Sequence, residues 1–250
     1  MRKHPVLGRI AGYAFAIVFI LAGWQLTAMA VHNPVLPEPF DAFPMVAQYF
    51  DELWPAFLVS LYRVVVAMLI GTVLAIPLGL VCGRSPRADA IFAPILYFLY
   101  PLPKVVLLPV LIVLLGLADA PKIVLIAITV FFQVLVTVRD ASKSVPEQSI
   151  LSMRSLGASR LDIYRHAIVP ATLPELFTAL RISSGTAVAI LFFAEGIAGS
   201  TGLGYFIVNA WALLAYPKMF AGIIAMALLG VILYELFDIA ERRLTRWRRV

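Results

Sequence analysis

Three ionisable side chains stand inside apolar runs of this sequence: Arg63, Lys104 and Glu195. A charge at the centre of a membrane-spanning helix costs roughly 2.5–3.5 kcal/mol on insertion scales, so each needs a partner, a wet cavity or a route back to the headgroups. Counted from the ends of their runs, Arg63 and Glu195 sit at similar depth near one boundary, where they either form a pair or snorkel. Lys104 lies roughly mid-run in Tyr100-Pro101-Leu102-Pro103-Lys104, too deep to snorkel easily. An ammonium beside unwound, proline-rich backbone is suited to attracting an anion. Gln133, also mid-run, is placed for an interhelical hydrogen bond, and Arg181, near the opposite boundary, for snorkelling.

Other chemistries find no support. His4, His32 and His166 are far apart and outside the apolar runs, which argues against a metal site. Cys82 is the single cysteine, which excludes an internal disulfide and a cysteine-based zinc site. No G-x-x-x-x-G-K-[ST] phosphate loop occurs, so if ATP drives this protein another chain binds it.

The elements that must position these charges are membrane spans. Of 250 residues, 62% are apolar and 14% charged, against about a quarter charged in soluble domains. Apolar runs at about 10–31, 56–82, 90–116, 121–138, 174–198 and 219–240 are each read as crossing about 30 Å of hydrocarbon. The first contains Ala28-Met29-Ala30, similar to a signal-peptidase site, but its length and the interrupting Trp24 and Gln25 favour an uncleaved span. His32 to Pro55 is a polar connector whose prolines 34, 37, 39 and 44 are expected to keep its first half extended. Gly83 to Asp89 is a tight turn. The third span is broken by Pro101, Pro103 and Pro109, which is tolerated where protein or a wet cavity satisfies the freed backbone. Ala118 to Lys122 is a short turn. Ser183, Ser184, Gly185 and Thr186 offer span five a small-residue packing face. Ser200 to Gly204 turns, and Tyr205 to Leu214 is an interfacial helix anchored by Tyr205 and Trp211.

Between spans four and five lies a polar island, residues 139–170. Ser144-Val145-Pro146-Glu147 has the spacing of a capping box, and so has Ser159-Arg160-Leu161-Asp162. Gly157 stands where a left-handed helix end is wanted. Leu161, Tyr164 and Ile168 then share a face, and Pro170 stops the second helix. The result is a two-helix knob too short to be stable alone. The positive-inside rule orients it. Fifteen Lys and Arg fall in the N-terminus, the 83–89 turn, the 139–165 stretch and the tail from Arg242 to Arg249, against Lys122 and Lys218 on the other side. Both termini and the knob are therefore cytoplasmic.

Gly157, followed after nine residues by Ala167-Ile168-Val169-Pro170, resembles the EAA loop of bacterial ABC-transporter permeases. The sequence departs from that pattern at the E-A-A positions, which hold Leu151, Ser152 and Met153, and at the positions of Ala167 and Val169. Further stretches are similar in order and spacing to the nitrate/sulfonate/taurine importer group over roughly residues 55 to 245. They are Ser60-Leu61-Tyr62-Arg63-Val64 with Ile76-Pro77-Leu78-Gly79, Pro101-Leu102-Pro103-Lys104 with Leu108-Pro109, and Ala194-Glu195 with Gly202-Leu203-Gly204-Tyr205.

The resemblance implies an all-α integral membrane protein with six transmembrane helices and a type I ABC importer permease-like fold. It implies one permease domain over 1–250 in a bacterial inner membrane, a second permease copy, two cytoplasmic ATPase subunits that hold ATP and Mg, and an external solute-binding protein. The chain itself would be non-catalytic and carry no cofactor. Arg154, Ser155, Leu156, Gly157, Ala158, Leu161 and Pro170 would couple to the ATPase. Lys104, Arg63, Glu195, Gly202 and Gly204 would line the translocation path or gate. The solute would be a small anion, or a thiamine precursor. An ion-coupled secondary carrier using Glu195 or Lys104, and a non-transporting membrane scaffold, are the rival readings.

Overall fold

The computed structural model describes residues 5–33 and 35–246, without the side chains of residues 5–11 and 13. Arg2, Lys3, His4, Pro34, Arg248 and Arg249 lie outside that range, as does the side chain of Arg9. The described residues form helices and connecting turns only: α1 Pro5–Val31, α2 Pro39–Gln48, α3 Phe50–Arg84, α4 Pro86–Leu99, α5 Leu108–Leu115, α6 Asp119–Lys143, α7 Glu147–Ser155, α8 Arg160–Ile163, α9 Val169–Ala198, α10 Leu203–Ala212 and α11 Tyr216–Leu244. Among the described residues, five helical stretches are long and apolar enough to cross a membrane. A sixth crossing results if α4 and α5, bent by 85° at the proline break, count as one broken span.

Helix α6 is the hub. Both its flanks are buried, by α3 on one side and α9 on the other. The close α3–α6 approach has a sequence cause. Ala67, Gly71, Ala75, Gly79 and Gly83 recur every fourth residue along α3, a small-residue stripe of the kind that lets helix backbones meet in lipid. A Cβ on Gly71 would lie 2.6 Å from the carbonyl oxygen of Ala127, and one on Gly83 2.5 Å from that of Arg139. The expected small face of span five is not where close packing occurs. Ser183 and Ser184 are buried, but Gly185 faces open space, because four consecutive residues point around a helix rather than to one side of it.

Several expected turns are shorter than their sequences suggest. The first half of the connector does not stay extended as expected: α2 fills 39–48, with Pro44 inside it and Pro39 in its first turn, where the missing N–H is no loss. Helix α3 starts at Phe50 and absorbs Pro55. The 83–89 turn shrinks to Ser85, which caps α4 by accepting from Ala88 N–H at 3.3 Å while Pro86 opens the helix. The 118–122 turn is likewise short, since α6 begins at Asp119. The interfacial helix starts at Leu203 and ends at Ala212. Helix α1 touches the rest mainly at its outer end, where the Trp24 ring stacks on Phe220 at 5.6 Å and its indole N–H donates to Pro37 O at 2.9 Å.

Candidate functional site

At the outer ends of α3, α6 and α9 a buried polar cluster surrounds Glu195. Arg63 Nη1 donates to Glu195 Oε1 at 2.7 Å, with the two side chains 3% and 0% exposed. Ser60, one turn earlier on α3, donates its hydroxyl to the same carboxylate at 2.8 Å, and Gly204 N–H donates to Oε2 at 2.9 Å. The 199–202 turn that returns the chain from α9 to α10 is thus clamped onto the carboxylate. Gly202 is left-handed, with φ of +100°, and a Cβ there would collide with the Glu195 carboxylate. A Cβ on Gly204 would come within 2.6 Å of Phe192 O. Gly202 is therefore required by the charge it encloses, and Gly204 by the α9 backbone it packs against.

The sequence-expected members Arg63, Glu195, Gly202 and Gly204 are brought together, and besides Ser60 three further residues join them. Asp119 accepts from Arg63 Nε at 2.8 Å and from Nη2 at 2.6 Å, and is 47% exposed. Thr201 accepts from Arg63 through its carbonyl at 2.9 Å and its hydroxyl at 2.8 Å. Lys122, counted in a turn, is 1% exposed and donates to Leu117 O and Ala118 O at 2.9 Å, tying down the last turn before α6. Asp119 opens an apolar run, and only helix packing places it beside Arg63. Arg63 thus faces one fully buried carboxylate and one at the rim.

Lys104 lies apart from this cluster. It begins a short 3₁₀ turn, Lys104–Leu107, just after the break in the third span. Its ammonium donates to Tyr100 O, a carbonyl freed by the break, and lies 5.2 Å from the ring centres of both Tyr100 and Phe132. It also lines a cavity of about 730 Å³ whose other walls are apolar, among them Gly71, Leu74, Val106, Ala127 and Phe131. Gln133 makes the expected kind of contact, donating to Thr186 Oγ1 of α9 at 3.3 Å.

At the basic end, Arg181 does not snorkel. It pairs with Asp238 at 3.0 Å and Glu241 at 3.1 Å, because α9 packs against α11. Arg139 is buried against Asp89 of α4, with Nη2 to Oδ2 at 3.0 Å.

The knob differs from its sequence reading in three ways. First, Ser144 does not cap α7. Its hydroxyl donates back to Ala141 O at 2.8 Å, Pro146 holds the cap position, and Glu147 pairs instead with Arg84 at 3.0 Å. The second capping box does form: Asp162 N–H donates to Ser159 Oγ at 3.2 Å, and Ser159 N–H donates to Asp162 Oδ2 at 3.0 Å. The hydroxyl and N–H of Ser159 hold the Asp162 carboxyl below its usual range. Second, Pro170 does not stop the helix. A π-helical turn, Tyr164–Ile168, widens the backbone just ahead of it, and α9 runs on with Pro170 in its first turn. Third, the π-turn shifts the buried stripe. Ile163 and Ile168, five apart, are buried, whereas Leu161 is 75% exposed. Gly157 has φ of +81°, and beside it Leu156 is 87% exposed. Leu151, Ser155, Leu156 and Leu161 form an exposed tip. Ala158 packs inward, and Arg154 lines a cavity between the knob and the α3–α4 turn.

The comparisons fit this geometry. The family described as "Binding-protein-dependent transport system inner membrane component" matches residues 75–246. The taurine transport system permease protein TauC of Escherichia coli (strain K12) is 34% identical over 238 residues, covering 92% of this chain and 86% of the relative. The putative aliphatic sulfonates transport permease protein SsuC of Bacillus subtilis (strain 168) is 30% identical, covering 92% and 84%. The formylaminopyrimidine transport permease protein ThiX of Halalkalibacterium halodurans is 25% identical, covering 93% and 94%. A structure of the MetNI methionine ABC transporter in an inward-facing conformation superposes with a TM-score of 0.63 at 21% identity, covering 81% of this chain and 98% of that one. At that identity the likeness speaks for the fold.

Proposed function

From the premise that this chain belongs to the binding-protein-dependent transport system inner membrane component family, we propose that it is the membrane permease of an importer for a small sulfonate-type anion. Family membership decides for an importer subunit of the inner membrane over a self-sufficient carrier or a passive scaffold. Its ATP and Mg belong to a separate ATPase pair, a second permease copy completes the pathway, and an external binding protein delivers the solute to the end that carries Arg63 and Glu195.

The observation that carries the solute class is the similarity to taurine and aliphatic sulfonate permeases over nine-tenths of the chain. Lys104 supports it, as a cation in the wall of an otherwise apolar cavity at the break of the third span. The exposed leucine tip supports ATPase docking, since apolar side chains held in water by a capped turn mark a contact surface. In this reading the Arg63–Glu195 cluster is the outer gate. The similarity to a formylaminopyrimidine permease keeps a thiamine-precursor solute as a second reading.

The deciding experiment is solute-stimulated ATP hydrolysis and uptake in liposomes containing the permease, its ATPase and its binding protein. Taurine, an alkanesulfonate, nitrate and an aminopyrimidine are offered in turn. Stimulation by a sulfonate supports the proposal. Stimulation by the aminopyrimidine alone replaces it with the second reading, and no response to any of the four refutes the solute class.

A further inference from the structure

On the basic end, between the knob and the α3–α4 turn, lies a cavity of about 510 Å³, within the range of small-ligand sites, ~300–1,000 Å³. Four arginines line it from four helices: Arg84 of α3, Arg87 of α4, Arg154 of α7 and Arg160 of α8. Ile150, Ile163 and Ile168 supply an apolar floor. Arg84 spends one nitrogen on Glu147. No carboxylate lies within ion-pair distance of Arg87, Arg154 or Arg160 among the described residues. Guanidinium groups converging on one cavity without carboxylates are suited to a phosphate, whose oxygens accept paired N–H donors.

We infer that this cavity holds the phosphate of an anionic phospholipid from the cytoplasmic leaflet. Two features point to a lipid. The first is the stripe that leaves the cavity along α4. Arg87, Ile91, Ile95 and Phe98 follow at helical spacing, and the three apolar members are exposed. A headgroup at Arg87 therefore has a ready apolar track for its acyl chain running into the bilayer. The second is the separation of faces on the knob. Ile150 and Arg154 face the cavity, as do Arg160, Ile163 and Tyr164, each set at spacings of three or four. The exposed leucines 151, 156 and 161 point elsewhere. The arginines thus lie on the face of the knob turned to the α3–α4 turn, apart from the exposed leucines. Basic pockets at the cytoplasmic ends of transmembrane helices hold acidic headgroups by this chemistry. A lipid so placed would join the knob to the α3–α4 turn. The site requires the membrane orientation of the chain but no particular solute.

The test uses the full-length permease in uncharged detergent, titrated with phosphatidylglycerol or phosphatidylcholine and read by native mass spectrometry. Phosphatidylglycerol should be retained and phosphatidylcholine not. The double variant Arg154→Gln with Arg160→Gln should weaken retention by about tenfold or more. Arg165→Gln removes one charge from the same knob outside the cavity and should leave retention unchanged. An equal loss in Arg165→Gln would mean unspecific surface charge and overturn the site. Displacement of phosphatidylglycerol by an equal concentration of inorganic phosphate would assign the cavity to a free anion and overturn the lipid. If the double variant keeps its lipid but no longer co-purifies the ATPase, the arginines belong to a protein contact and the inference fails. Uptake assays play no part in the readout, so this result is independent of the transport proposal.

Discussion

Gly202 is a glycine because Glu195 occupies the place its side chain would take: the left-handed turn at 202 wraps the carboxylate, and a Cβ would run into it. The carboxylate in turn accepts from Gly204 N–H, Ser60 and Arg63. The α9–α10 connection is therefore shaped around one buried charge.

Gly202→Ala should destabilise this end of the bundle through two causes, roughly 1–3 kcal/mol from a backbone conformation open essentially to glycine alone and a further amount from the clash. Thermal unfolding of the purified permease should show a lower midpoint. Gly185→Ala, with φ in the helical range and open space at its Cβ, should not lower it. Equal behaviour of the two variants would contradict the packing around Glu195.

Removing either member of the Arg63–Glu195 pair should not cost the same. Without Glu195, Arg63 still has Asp119 and the two oxygens of Thr201. Without Arg63, Glu195 is a fully buried charge left with only Ser60 and a backbone N–H. Arg63→Gln should therefore lose the larger share of the ~3–5 kcal/mol typical of breaking a buried pair, and adding Glu195→Gln should restore part of it. The check is chemical denaturation of the single and double variants in micelles. A double variant no more stable than Arg63→Gln would show that the two charges are not coupled.

Lys104→Met keeps chain length and apolar bulk while removing the charge at the large apolar cavity. The complex should assemble and keep its basal ATP hydrolysis. Solute-stimulated hydrolysis and uptake should fall by tenfold or more, by an order-of-magnitude argument from one lost charge contact. Wild-type uptake would reduce Lys104 to a partner for the Tyr100 carbonyl.

Gly157 turns the chain between α7 and α8 with nothing near its missing side chain. A substitution there is felt only through the backbone. Gly157→Val should reduce co-purification of the ATPase without affecting membrane insertion, whereas Gly157→Asn, which tolerates the left-handed region, should retain most of it. Identical recovery in both variants and in the wild type would remove the knob from the coupling surface.

The Ser159–Asp162 box adds a pH dependence. The folded Asp162 carboxyl titrates below its unfolded value because Ser159 bonds the charged form. Its contribution is therefore complete above the ordinary carboxylate range, about 3.9, and is lost as pH falls through the lower folded value. Amide protection in the knob, taken relative to the intrinsic exchange rate at each pH, should hold down to mildly acidic pH and then fall. Asp162→Asn should exchange faster at neutral pH, with a weaker response to acid. A variant indistinguishable from wild type would count against the cap.

Whatever depends on neighbours along the chain or on the bilayer was legible before any packing was known. Apolar runs and the skew of arginines and lysines set the spans and their direction, because transfer into hydrocarbon and the positive-inside bias act on each segment separately. The Ser159–Asp162 box was legible for the same reason, since three residues of helix suffice to make it. Equal depth was enough to suggest Arg63 and Glu195 as a pair. Tertiary packing decided what depends on competition between partners. Ser144 and Glu147 have the same local spacing as the second box, yet Arg84 takes the glutamate, because α3 ends beside the start of α7. Arg181 finds Asp238 and Glu241 only because α11 lies against α9. Asp119 and Lys122 looked like turn residues until helix packing set Asp119 against Arg63 at the rim of the outer cluster and buried Lys122. A charge in a helix has several acceptable partners by chemistry, and the one it takes is the one that helix packing brings within about 3 Å.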